Sequence, residues 1–178
     1  MRHALSFFAW SGMVLLFEFP LPHRIVQVSA VSPRPLNDPH QTLAIILNRS
    51  NPVENLSFGE LRKIFMGERS RWPNGHRVVV TMMESGNSER ETILREVYRM
   101  TESRYRDHFF KGTYTGDIPV SPKTLSSPTI LRKFVFNTPG AIGYLRASDV
   151  DGSVKVVRID GHLPDNADYP LQLSELGK

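Results

Sequence analysis

At 178 residues, with 40% hydrophobic and 22% charged content, the chain carries enough apolar material for one core and too little length for two full domains. Its formal net charge of +4 and pI near 9.6 come from scattered basic residues, with no Lys/Arg block dense enough for a nucleic-acid arm. Without any cysteine the chain forms no disulfide, carries no lipid on a thiol and has no thiolate for catalysis or metal binding.

The first thirty residues differ in character from the rest. Arg2 and His3 precede an apolar stretch at 4–19, and "VSA" at 28–30 offers the small residues that a signal peptidase reads. Ser11, Gly12, Glu18, Pro20 and Pro22 interrupt the apolar run, which falls short of the roughly 20 residues of a membrane-spanning helix. Residues 1–30 are therefore expected to be an export signal, with a buried N-terminal helix and an uncleaved membrane anchor as the alternatives. Cleavage would leave about 148 residues in the periplasm or outside a bacterial cell, with no stable membrane span. The proline-rich stretch "VSPRPLNDPHQ" at 31–41 reads as an extended linker, and 42–178 as the folded domain.

In that domain "TLAIILN" at 42–48 is a continuous apolar run, expected to be a strand covered on both faces. Ser57 with Glu60 three positions on is a capping box, Leu61, Ile64 and Phe65 share one face, and Gly67 stands where the helix ends. Pro73, Asn74 and Gly75 make a turn into "RVVVTM" at 77–82, a β-branched strand, so that strand, helix, turn and strand open a parallel crossover unit. Ser88 and Glu91 repeat the capping-box spacing ahead of an apolar stripe at Ile93, Leu94, Val97 and Tyr98. Thr101 caps a helix bearing Tyr105, His108 and Phe109, and a polar loop is expected from Gly112 to Gly116. Ser127 with Pro128 starts another helix, "TPGAIGYL" at 138–145 leads into a strand, and "VKVVRI" at 154–159 gives one more. The tail from Tyr169 is too short to assign. Alternating strands and helices predict an α/β domain with a largely parallel sheet flanked by helices.

Three segments resemble, in order, the phosphate-binding family of phosphate ABC transporters, within the type II periplasmic-binding-protein superfamily: "LNRSNPVENLSFGELRKIFMGERSRWPNG", "RVVVTMMESGNSERETI" and "TPGAIGYL". They cover roughly residues 43–160. The resemblance implies a single lobe of a fold whose full-length members close two lobes on an oxyanion, because about 148 residues leave no room for both. It also points to the loop after the second strand. Where family members typically read Arg-Ser-Asp-Gly-Ser-Gly-Thr, this chain has Met83, Glu84, Ser85, Gly86, Asn87, Ser88 and Glu89, so that only the glycine is matched. The loop has two readings. Ser85, Gly86, Asn87 and Ser88 supply donors to a small anion such as phosphate, with Arg90 balancing its charge; or Ser88 only caps a helix whose dipole Glu89 and Glu91 already answer.

No other pattern carries chemistry. His40, His76, His108 and His162 are far apart, without metal-ligand spacing, and no nucleophile elbow, Walker loop or dinucleotide fingerprint occurs. "DVDGS" at 149–153 lacks the further ligands of a calcium loop and reads as a turn. Trp72, Tyr98, Tyr105, Phe109, Phe110 and Tyr114 have no accompanying basic stripe, which favours core packing over nucleic-acid stacking. The expectation is a non-enzymatic, exported phosphate-binding-protein-like domain that needs no cofactor and binds a small anion weakly, or with a homodimer or an envelope protein as partner. The alternative is an envelope interaction module that has lost its ligand.

Overall fold

The computed structural model describes residues 38 and 40–173, all within the compact unit 34–178. The expected export signal and most of the linker lie outside the described residues. Strand β1 (Leu43–Leu47) is buried at every position. A strand apolar on both faces needs cover on both, and its neighbours supply it. A short strand β2 (Asn55–Leu56) precedes helix α1 (Phe58–Phe65), which starts with the expected capping box: Ser57 Oγ accepts from Glu60 N–H while the Glu60 carboxylate accepts from Ser57 N–H. Ser57→Ala removes the cap and is expected to lower stability by about 1 kcal/mol, seen as a lower urea midpoint at unchanged slope.

Strand β3 (Val79–Met83) feeds helix α2 (Ser88–Ile93), which widens into a π-helical turn (Leu94–Tyr98) and stops at Arg99 in the left-handed region, φ 53°. Ile93, Leu94, Val97 and Tyr98 are all buried, so the apolar stripe stands although the helix geometry changes along it. Helix α3 (Glu102–Thr115) carries the expected Thr101 cap but runs through Gly112 instead of stopping there. The side chain of Ile118 folds back against Gly112, where an added Cβ would lie 2.5 Å from Ile118 Cδ1. Strand β4 (Lys123–Leu125), helix α4 (Pro128–Asn137, capped by Ser127) and strand β5 (Ala141–Arg146) follow. The expected strand at 154–159 is two: β6 (Lys155–Val156) and β7 (Arg158–Ile159) belong to different sheets, and buried Val157 marks the change. The tail closes the fold, since Leu43 N–H donates to Leu171 O and Leu173 N–H to Gln41 O.

The main sheet has the order β4-β3-β5-β1-β6, and β2 and β7 form a separate parallel pair. β3 is parallel to β4 and β5, while β1 is antiparallel to both β5 and β6. Four strands thus point one way and β1 runs against them, which makes the sheet largely parallel in direction. The expected crossover from β1 to β3 does not form. β5, apolar on both faces, takes the place between them and pairs with β1 over five positions. Register puts Thr81, Gly143 and Ile46 on one face, where Leu131 and Val135 of α4 approach Gly143. Met82, Tyr144 and Ile45 point to the opposite face. Behind α2, an aromatic cluster links Phe65 to Tyr98 at 5.8 Å, Tyr98 to Tyr105 at 5.0 Å and Tyr105 to Phe109 at 4.8 Å. Trp72 is also core, whereas Phe110 and Tyr114 are 76% and 87% exposed.

Candidate functional site

The parallel strands β3 and β5 end side by side, and ligands of such sheets bind outside the carboxyl ends of the strands. The end of β3 is pinned from two sides: Met83 N–H donates to the Tyr144 hydroxyl at 2.9 Å, and Met83 O accepts from Arg90 Nη1 at 2.7 Å. Glu84 N–H still pairs with Leu125 O across to β4, and then the chain leaves the sheet. Ser85 and Gly86 are exposed, Gly86 at φ +88°, and Asn87 and Ser88 are half-buried. The turn is closed by Asn87 Nδ2 donating to Glu84 O at 2.8 Å. N–H groups of Gly86, Asn87 and Ser88 meet no protein acceptor among the described residues.

The helix start differs from the expected one by one position. Asn87 is the N-cap, its side chain turned back to Glu84, and Ser88 is the first helical residue. Freed from capping, Ser88 Oγ accepts from Arg146 Nη2 at 3.0 Å and donates to Glu89 Oε2 at 3.3 Å. Arg146, the last residue of β5, also pairs with Glu89 through Nε and donates to His40 O at 2.9 Å. Burial pushes the Glu89 carboxyl up, but the hydrogen bonds and charge of Arg146, with help from Ser88, outweigh it and hold the group below the usual carboxylate range.

On the other side of the turn, Arg90 is 4% exposed and each of its three guanidinium nitrogens donates a hydrogen bond. Nε and Nη2 grip the Glu102 carboxylate at 2.9 Å each, and the cation lies 4.8 Å from the ring centre of Tyr105. Ser85 Oγ donates to the same carboxylate at 3.3 Å. Hydrogen bonds from Arg90, opposed by partial burial, keep the Glu102 carboxyl below its ordinary value. Burial raises the Tyr105 phenol to about 12, so it stays a neutral hydroxyl beneath the pair. A shallow cleft of about 280 Å³ opens here, lined by Ser85, Gly86, Arg90, Glu91, Thr101 and Glu102 among others.

The structure therefore gathers Ser85, Gly86, Asn87, Ser88 and Arg90 at one edge of the sheet, and adds Arg146 and Glu102, which sequence reasoning did not single out. Arg146 follows directly on "GAIGYL", and Glu102 follows the Thr101 cap; neither position signals a partner 57 or 12 residues away. Hydroxyls, N–H groups and paired charges can hold an oxyanion. Among the described residues no histidine side chain hydrogen-bonds to the two serines, whose side-chain partners are Glu102, Glu89 and Arg146.

No protein-family model matches the chain. It is 31% identical over 135 residues to the phosphate-binding protein PstS of Bacillus subtilis, a match that takes in 72% of this chain and 41% of the relative's length. Among solved structures, an ABC-type phosphate transport receptor from Vibrio cholerae superposes with a TM-score of 0.59 at 20% identity, over 78% of this chain and 59% of the receptor. PstS from Borrelia burgdorferi gives 0.60 at 13% identity, over 79% and 57%. A putative phosphate ABC transporter substrate-binding protein with bound phosphate, from Clostridium perfringens, gives 0.57 at 23% identity, over 70% and 47%. The chain spans less than half the length of the curated relative it matches. The solved structures speak for the fold and the curated relative for descent, and together they make this chain a relative of the PstS-like phosphate-binding proteins, matched over part of their length.

Proposed function

We propose that this chain is an exported, non-enzymatic domain of the phosphate-binding-protein type that takes a small anion such as phosphate, weakly, at the turn after β3. The observation that carries the reading is the exposed turn itself: Ser85, Gly86, Asn87 and Ser88 sit at the carboxyl end of a parallel strand with N–H groups that no protein acceptor among the described residues uses. Arg90 lies beneath the turn as fixed positive charge. Descent from binding proteins for transport, with no catalytic constellation in the turn, supports binding over turnover. Export rests on the signal pattern at 1–30; no helix among the described residues is long and apolar enough to cross a membrane.

Affinity is low for two physical reasons. The cleft beside the turn is shallow, whereas tight sites enclose most of the ligand surface. Exposed Glu84 and Glu91 and half-buried Glu89, already paired to Arg146, also flank the turn, and their negative charge opposes an incoming anion. A second copy of the chain or an envelope protein would supply a further wall to the cleft. The second reading, an interaction module without a ligand, draws on one observation: both arginines beside the turn are already paired to carboxylates, and buried Met83 stands where the family places a further arginine.

Calorimetry with phosphate, sulfate and acetate separates the two. Anion binding gives a saturable heat with a dissociation constant of about a millimolar, abolished in Ser85→Ala/Ser88→Ala. Silence for all three anions selects the interaction module. Light scattering on the same samples reports whether binding tracks a dimer.

A further inference from the structure

We infer that the Glu102 carboxylate is an internal competitor for the Ser85–Arg90 end of the turn, so that an incoming oxyanion has to displace a carboxylate already held by the same donors. The inference rests on the anion-binding reading above and specifies what limits that site.

Its basis is geometric. Oε1 of Glu102 accepts from both Ser85 Oγ, at 3.3 Å, and Arg90 Nη2, at 2.9 Å, while Oε2 accepts from Arg90 Nε at 2.9 Å. A side-on, two-point grip of this kind is how a guanidinium takes either a carboxylate or a phosphate. The two partners are held unequally. Arg90 has 5% of its side chain exposed and is fixed from within by Met83 O and the Tyr105 ring; Glu102 has 35% exposed and reaches over from the first turn of α3. The carboxylate is the partner that solvent can peel away. When it swings out, Arg90 Nε and Nη2 and the Ser85 hydroxyl are left facing the cleft that all three residues line.

Electrostatics makes the exchange one for one. A buried guanidinium demands a counter-charge, and an oxyanion arriving while Glu102 stays in place meets a like charge instead of a free cation. A purely structural pair tying α2 to α3 has a different signature, since removing its acid then costs stability and gains no affinity.

The test compares phosphate binding, by calorimetry and by phosphate-dependent melting temperature, in the wild type, Glu102→Gln and Glu102→Asp. Glutamine keeps the size and removes the charge; aspartate keeps the charge and withdraws it by one methylene. Glu102→Gln is expected to bind phosphate at least about tenfold more tightly than the wild type, and its melting point to rise further with phosphate. Adding Ser85→Ala to Glu102→Gln is expected to erase the gain. A wild type that binds phosphate, with Glu102→Gln no tighter, overturns the inference and leaves the anion-binding reading standing. A silent wild type beside a binding Glu102→Gln supports the competitor but assigns the native chain to the interaction-module reading, and silence from every protein overturns both. Should Glu102→Gln fail to fold, Glu102→Asp decides: tighter binding than wild type supports the competitor, and unchanged or weaker binding overturns it.

Discussion

Alanine at Gly140 is expected to lower the unfolding free energy by about 3 kcal/mol, near the upper end of what overpacking costs in a close-packed interior. A Cβ built there lies 1.9 Å from the carbonyl oxygen of Arg77. That oxygen is backbone, so no rotamer change relieves the clash, and the strand ends must part. They meet where Val79 N–H donates to Gly140 O at 3.0 Å and where the Trp72 indole N–H donates to the same carbonyl at 2.9 Å. The β3–β5 alignment that brings Met83 level with Leu145, one residue before Arg146, starts from this junction. Gly143→Ala serves as the contrast. Its Cβ would meet Thr81 Oγ1 at 2.2 Å and Leu131 Cδ2 at 2.8 Å, both side-chain atoms. Adding Thr81→Ala to Gly143→Ala is therefore expected to recover part of the loss, whereas no single side-chain truncation rescues Gly140→Ala. Urea titrations of Gly140→Ala and Gly143→Ala, each with and without a neighbouring side-chain truncation, check both statements. Equal recovery at the two glycines would mean that the close approach to Arg77 is not what Gly140 provides.

What was legible in the sequence follows the range of the interaction concerned. Ser57 with Glu60, Thr101, and Ser127 with Pro128 mark helix starts through contacts three residues long, and all three starts stand where expected. Ser88 with Glu91 has the same spacing, yet the cap is Asn87, because Arg146 arrives from β5 to engage the Ser88 hydroxyl. The local pattern could not weigh a partner 58 residues away. Strand order shows the same limit. The segments read at 42–48, 77–82 and 138–145 identify strands, but their composition is silent on which neighbours which, and β5 between β1 and β3 reverses the expected relation of the first two. The turn at 85–88 was found because a family pattern and a helix start coincide there. Glu102 and Arg146, which pair with Arg90 and Glu89 beside it, are ordinary surface-type residues in sequence and become candidate site residues only through tertiary pairing.

The Arg90–Glu102 pair should write itself into the pH dependence of stability, and Arg90→Met is expected to remove it at a cost of about 2 kcal/mol near neutrality. Breaking a fully buried pair costs more, because the orphaned ion stays dry; Glu102 has 35% of its side chain exposed and regains water. The remaining cost falls on Met83 O, which loses its Arg90 donor, and on the cation's place over Tyr105. The sign follows from the direction of the shift. Arg90's hydrogen bonds hold the Glu102 carboxyl lower in the folded chain than in the unfolded one, so the pair contributes its full stability above the unfolded value and loses it as the pH falls through the folded one. Wild type and Arg90→Met are thus expected to differ most between about pH 6 and pH 8, and the gap to narrow in acid once Glu102 is protonated in both, down to the part carried by Met83 O and the Tyr105 ring. Glu89 keeps its own lowered carboxyl through Arg146, so both proteins retain that acid sensitivity and it cancels in the difference. Paired urea titrations from about pH 8 down to about pH 3 read the effect directly. A gap that stays constant into acid would assign Arg90 to packing alone and would strip Glu102 of the charge on which its competition with an outside anion depends.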